Sequence, residues 1–120
     1  MLGGRSGAKC TNKCEKYSLN RGKFLDQWVE IASMNEERVE HAACLMNEGR
    51  RIYVCGGINT YGDWSNSIEY YDVQREHYSQ GRWTLIKLTG WLPCGRVGPL
   101  MVPFSASEII IAGGDQKVAL

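Results

Sequence analysis

The sequence predicts an all-β chain built from a repeated unit, on three observations. A pair of glycines recurs at positions 3–4, 56–57 and 113–114, so the interval is 53 and then 57 residues. Each pair closes a short apolar run: Met1-Leu2, then Ile52-Tyr53-Val54-Cys55, then Ile109-Ile110-Ile111-Ala112. Other marks follow twice in the same order: a tyrosine 14 residues after the first glycine (Tyr17, Tyr70), a tryptophan (Trp28, Trp83) and an Arg-Val pair (Arg38-Val39, Arg96-Val97). Self-similarity at a period of this size means one supersecondary unit used repeatedly. Paired glycines suit a strand end where a neighbouring backbone comes too close for a Cβ.

In chain order, residues 1–4 end one strand, and residues 15–18 and 24–30 supply two more. The stretch Leu25 to Met46 would by itself read as a helix, with Leu25, Trp28, Val29, Ala32, Val39 and Ala43 along one stripe. The repeat overrules that reading. The equivalent stretch Leu85 to Phe104 carries Gly90, Pro93, Gly95, Gly98, Pro99 and Pro103, and prolines at those spacings cannot share a continuous helix. Equivalent units share a fold, so strand, loop, strand is expected there, and a continuous helix over residues 28–46 would contradict it. His41 to Met46 is a compact apolar strand, and Asn47-Glu48-Gly49 is a tight-turn signal. Ile52 to Gly56 alternates. Ile68 to Asp72 alternates, with Ile68, Tyr70 and Asp72 on one face. Arg82 to Leu88 sets Trp83 and Leu85 opposite Thr84, Ile86 and Leu88. Four such strands with turns between them make one antiparallel sheet.

Bulk properties exclude more than they assign. The chain has 120 residues, 43% hydrophobic and 22% charged, with a net charge of +1, so composition makes no case for nucleic acid or a membrane surface as partner. No apolar run is long enough to span a bilayer, the start Met1 to Gly7 has no signal-peptide core, and there is no Asn-x-Ser/Thr sequon. A cytosolic or other intracellular setting is expected. The cysteines are five: Cys10, Cys14, Cys44, Cys55 and Cys94. Cys44 and Cys55 lie in apolar runs, where a thiol behaves as a small hydrophobe. Cys10 and Cys14 form C-x3-C without a second pair at zinc spacing, so no metal site is expected; a disulfide between them would need an oxidising compartment.

These residues resemble kelch repeats, which build β-propellers from four-stranded blades of about 50 residues. The pattern reads Arg38, His41-Ala42-Ala43, Ile52-Tyr53-Val54-Cys55-Gly56-Gly57, Tyr71-Asp72 and Trp83, and Met34 to Arg38 is similar to the start of a blade in kelch-like adaptor proteins. The resemblance covers essentially the whole chain, although Tyr17 is followed by Ser18 where the pattern has Asp. It implies a kelch-type β-propeller segment: residues 1–30 the end of one blade, 38–86 a complete blade, and 97–114 the first two strands of the next. A closed propeller needs roughly 4–8 blades. The expectation is therefore a piece of a larger propeller, with the remaining blades missing from the chain.

Antiparallel strands place the loop from second to third strand and the loop between blades at one rim. That rim is expected to carry Arg5, Lys9 and Lys13, then Tyr61, Asp63 and Trp64, then Trp91, Cys94 and Asp115. Loops on a rigid scaffold are the usual home of binding residues, and Tyr, Trp and Arg dominate interface hot spots. Candidate partner-binding residues are Arg5, Tyr61, Trp64, Trp91 and Asp115, with the role of Arg5 implied by resemblance alone. Trp64 and Trp91 also suit a packing role, folded back over neighbouring loops. The basic group Arg5, Lys9, Lys13 and Lys16 offers either attraction for an acidic peptide or a merely solvated loop. Tyr17, Tyr70, Trp28 and Trp83 are expected in the core. His41 and His77 fall at unrelated points of the blade, and no carboxylate pair, phosphate-cradling loop or metal-ligand spacing is present. The expected function is binding of another protein or peptide through one rim, without catalysis or cofactor. By resemblance, the parent is a substrate-receptor adaptor of a ubiquitin ligase, though no BTB domain lies in these residues. A catalytic propeller acting on a small molecule and a nonfunctional truncation are the alternatives.

Overall fold

The computed structural model describes residues 1–17, 28–73, 81–86 and 95–116, and its named elements are all strands. The first unit is a three-stranded antiparallel sheet of β1 (Leu2–Ser6), β2 (Lys9–Tyr17) and β3 (Trp28–Ile31), in that order. The central unit is a four-stranded antiparallel sheet, β4 (Ala42–Met46), β5 (Arg51–Cys55), β6 (Ile68–Asp72) and β7 (Trp83–Ile86), each strand beside the next. The third unit holds two short ladders: β8 (Arg96–Val97) with β11 (Asp115–Gln116), and β9 (Leu100–Ser105) with β10 (Glu108–Ala112). Residues 32–41 link the first two sheets without a helix, as the repeat required. The turn between β4 and β5 puts Asn47, Glu48 and Gly49 at φ of 56°, 58° and 81°, and the Arg50 amide returns to the carbonyls of Met46 and Asn47. Asn and Gly tolerate that left-handed backbone, which is why the turn was legible.

The central sheet has two buried faces because it stands between two neighbours. Cross-strand partners place Leu45, Ile52, Tyr71 and Trp83 in one row and Ala43, Val54, Glu69 and Leu85 in another, both on one face. Val54, Tyr71 and Trp83 of that face pack with Cys14 and Met34, flanked by Leu2, Ile31 and Ala32. The opposite face carries the row Ala42, Cys55, Ile68 and Ile86 and packs on Met101, Ile109 and Ile111. Apolar burial at roughly 25 cal/mol per Å² thus acts on both sides of one sheet. Trp83 adds a polar tie across the first junction, its Nε1 donating to the Ala32 carbonyl at 2.9 Å.

The glycine pair serves both junctions. A Cβ on Gly56 (φ +70°) would stand 2.6 Å from the Arg96 carbonyl oxygen, and one on Gly57 would stand 2.8 Å from the Val39 carbonyl. The Gly57 amide donates to the Arg96 carbonyl at 2.8 Å, as the Gly4 amide donates to the Arg38 carbonyl at 2.7 Å. One glycine of the pair therefore admits the next unit, and the other admits the segment that leads into the first strand of its own.

The structure corrects the expected first unit. Its third strand runs over Lys9–Tyr17 rather than 15–18, entered by a two-residue turn at Gly7-Ala8. The polar stretch is a strand because only one face is buried: Cys10 and Cys14 turn inward, and Asn12 Nδ2 between them donates to the Met34 carbonyl at 2.9 Å. Tyr17 and Trp28 are not core residues. They are 42% and 59% exposed and stack on each other, centroids 5.3 Å apart, on the face away from Cys14. No element among the described residues covers that face. The pair is equivalent to Tyr71 and Trp83, whose rings lie 5.4 Å apart, and not to Tyr70, because the first unit reaches its third strand in one residue fewer. Tyr70 is half-buried, with Arg51 Cζ 4.3 Å from its ring centroid. His41 precedes its strand, which begins at Ala42, and residues 24–27 and 87–88, expected in strands, lie outside the described residues.

Candidate functional site

The loop joining β5 to β6, residues 56–67, is held by hydrogen bonds of its own. Asn59 organises its tip: its Oδ1 accepts from the amides of Tyr61 and Asp63 at 3.0 and 2.9 Å, and its own amide donates to the Asp63 carbonyl. An Asn side chain mimicking a backbone turn in this way fixes the loop with little burial. Gly62 supplies φ +79°. The outcome is Tyr61 held at the apex, 86% exposed.

Both neighbours anchor the loop. On one side Thr60 Oγ1 accepts from the Cys10 amide at 3.0 Å, and Cys10 is the cross-strand partner of Arg5. On the other, the Arg96 amide donates to the Ser65 carbonyl, and Gly95 lies so close to Trp64 that a Cβ there would stand 2.5 Å from it. Trp64 is half-buried, and Ile58 bridges antiparallel to both Val39 and Trp64. Trp64 thus performs the packing role and still borders a cavity of about 420 Å³ lined by Glu36, Glu37, Asn59, Asp63 and Asn66.

Under the cavity lies a network that sequence reasoning missed. Arg38 and Glu69 are both fully buried. The Arg38 guanidinium donates from Nε and Nη2 to Glu69 Oε2 at 3.3 and 3.1 Å, from Nη1 to the Gly56 carbonyl at 2.8 Å, and from Nη2 to Ser67 Oγ at 2.6 Å. Glu69 Oε1 accepts from the Asn35 amide at 2.7 Å. Glu36 Oε2 accepts from Ser65 Oγ and Ser67 Oγ at 2.7 and 2.8 Å. A buried charge pair persists only when its remaining donors and acceptors are met, and here they are. The available signal was a carboxylate inside the aromatic strand Ile68-Glu69-Tyr70-Tyr71. The network locks the loop to the sheet beneath.

The other candidates fall as follows. Arg5 is exposed in β1, where its cross-strand partner Cys10 donates to Thr60 of the loop, and Asp115 is exposed in β11, paired with Val97. Trp91 and Cys94 lie outside the described residues, as does His77. Lys9 and Lys13 stand in β2 rather than in a loop, because the connection is a tight hairpin; Lys13 faces Glu30 at 3.7 Å on the open surface, an ion pair worth little. His41 Nδ1 is buried with no hydrogen-bond partner among the described residues, and burial, reinforced by Arg38, holds the imidazole below its usual pKa. Cys10, Cys14, Cys44 and Cys55 are free thiols. Burial pushes the Cys55 thiol up to about 11 and raises Cys14 and Cys44 as well, so these groups are protonated and weakly nucleophilic at neutral pH. Among the described residues, no group of three His, Cys, Asp or Glu could hold a metal ion.

Comparison with known proteins agrees with this geometry. Residues 38–86, which run from Arg38 to the end of β7, match the family model of the Kelch motif. The chain is also 28% identical to the Rho GTPase-activating protein gacHH of Dictyostelium discoideum, over an alignment covering 96% of the chain and 7% of that protein. The chain therefore spans a small part of the curated relative it matches.

Proposed function

This chain belongs to the kelch-repeat family, and from that premise we propose that it holds a partner peptide or protein surface on the rim around Tyr61 and Trp64. Kelch repeats are protein-interaction modules in general; the rim and its residues are the finer reading. The observation that carries it is Tyr61, a large aromatic side chain 86% exposed on a loop that Asn59 holds rigid. An ordered aromatic offered to solvent loses little conformational entropy on binding, which is what a hot spot requires. Arg5 and Asp115 occupy the same place in the first and third units, the second residue after the first glycine, and Ile58 holds it in the central unit between them, so the flanking units offer opposite charges. Glu36, Glu37 and Asp63 at the cavity favour a cationic group on the partner beside Tyr61. A place within a larger adaptor protein suits such a rim, and the rim itself requires no catalytic group.

The experiment is selection of peptides from a random displayed library on the folded chain, followed by titration of the selected peptides against variants. Tyr61→Ala is expected to weaken binding about 10- to 100-fold, the range of a hot-spot aromatic. Leu45→Ala, on an exposed strand position away from the rim, is expected to leave it unchanged. Peptides that bind equally well to wild type, Tyr61→Ala and Trp64→Ala would refute the assignment.

A further inference from the structure

Granted that the rim binds a peptide, we propose that the cavity beside Trp64 receives an arginine side chain of that peptide, its guanidinium held by Glu36, Glu37 and Asp63. One wall of the cavity is the linker between the first two sheets, at residues 35–37, and the other is the loop of the central unit, at residues 59 and 63–66. Its volume of about 420 Å³ lies in the range of ordinary ligand pockets. Each of the three carboxylates on its walls is tied through one oxygen. Glu36 Oε2 accepts from Ser65 Oγ and Ser67 Oγ at 2.7 and 2.8 Å and stands 3.4 Å from Arg38 Nη2. Glu37 Oε1 accepts from the Thr60 amide at 3.3 Å, and Asp63 Oδ2 accepts from Asn59 Nδ2 at 3.3 Å. The second oxygen of each makes no hydrogen bond among the described residues, and those of Glu36 and Glu37 are not buried.

The charges around the cavity do not balance. Among the described residues Arg38 is the one cation paired with these groups, and the fully buried Glu69 already matches it at 3.1 Å. Glu36, Glu37 and Asp63 are the surplus, and the bonds that fix one oxygen of each keep them from swinging apart. A carboxylate group held ready in this way favours a cation without a further cost of ordering. A metal ion is not that cation, since among the described residues no three His, Cys, Asp or Glu groups could hold one. Carboxylates spread over two walls suit a delocalised charge instead. A guanidinium carries five N–H donors in one plane, so it can meet several separate oxygens and still lie flat against an aromatic ring. Trp64 on the cavity wall supplies that ring. A lysine ammonium is a compact point charge and matches neither feature as well. The amides of Tyr61 and Asp63 donate to the same Asn59 Oδ1, which keeps the exposed ring and the carboxylate within reach of one short peptide.

The test is binding of three peptide pools to the 120-residue chain, each randomised except for a central residue fixed as arginine, lysine or citrulline, the last a neutral isostere of arginine. The arginine pool is expected to bind about 10-fold or more tightly than the citrulline pool, the range of hydrogen bonds to a charged group, and more tightly than the lysine pool. Glu37→Gln with Asp63→Asn keeps both acceptors of the loop bonds and removes two charges, and is expected to abolish the preference for arginine over citrulline. Far-UV circular dichroism verifies that the double variant is folded; should it not fold, Glu37→Gln alone carries the test and is expected to reduce the preference. Tyr61→Ala is expected to weaken all pools in equal proportion. Arginine and citrulline pools that bind alike would overturn the arginine site, and if Tyr61→Ala still weakens them the rim survives that result. A preference for arginine that the carboxylate variants remove, with Tyr61→Ala without effect, would support the site and refute the anchor. Binding by no pool, a lysine pool equal to the arginine pool, or a preference that survives the carboxylate variants would overturn the proposal.

Discussion

Arg38 shows how one residue type at one position does two jobs. Its guanidinium satisfies the carbonyl of Gly56, which the left-handed backbone leaves without a strand partner, and it neutralises Glu69 inside the sheet. Sequence alone marked Arg38 as a repeat landmark without saying why. The reason is three-dimensional, because its partners Gly56, Ser67 and Glu69 lie 18, 29 and 31 residues away. Arg38→Met is expected to destabilise the fold by about 3–5 kcal/mol, since it strands a buried carboxylate. Replacing both members, as Arg38→Met with Glu69→Leu, is expected to recover a large part of that loss. Urea denaturation of the two variants measures the difference; equal losses would mean that the pair is not the cause.

Among the elements, the strands of the central sheet were legible because they alternate between two apolar faces and are punctuated by turn residues. The helical stripe over Leu25 to Met46 misleads by itself, and the prolines in the equivalent stretch correct it. The first unit was less legible. Its third strand is polar on the open face, so Cys10 and Cys14 alone mark the buried one, and the tyrosine landmark slips by a residue. The glycine pair is the element-level device that can be tested. Gly56→Ala combines φ +70° with a Cβ 2.6 Å from the Arg96 carbonyl oxygen and is expected to cost about 3 kcal/mol or more. Gly62→Ala has φ +79° and open space around the Cβ, so it is expected to cost only about 1–2 kcal/mol. Chemical denaturation separates the two; equal costs would mean that backbone strain alone, and not the junction, explains the first glycine.

For the whole molecule, the decisive fact is that each sheet is stabilised by its neighbours rather than by a core of its own. The central sheet gives one face to Cys14 and Met34 and the other to Met101, Ile109 and Ile111. Repeat architectures of this kind gain stability as a sum of nearest-neighbour interfaces. Deleting residues 95–120 is therefore expected to expose Ala42, Cys55 and Ile68, lower the urea midpoint and raise binding of a hydrophobic dye such as ANS. An unchanged midpoint and no added dye binding would show that the third unit contributes no interface. The rim loop belongs to this scale as well, because its two ends are tied to different units, through Cys10 and through Arg96.

By itself the sequence determined the fold class, the repeat and the four central strands. These follow from local alternation, turn chemistry and glycine spacing, which act between residues close in the chain. It also placed Tyr61 on a loop, since the residues between the glycine pair and Ile68 connect the second strand to the third. Only the tertiary structure decided which aromatics are core. Tyr17-Trp28 and Tyr71-Trp83 are the same pair locally, and one is buried while the other is exposed because burial depends on the neighbouring unit. The same holds for the charges: Arg38 and Arg96 are alike in sequence, and it is the fold that brings Glu69 of another strand to Arg38.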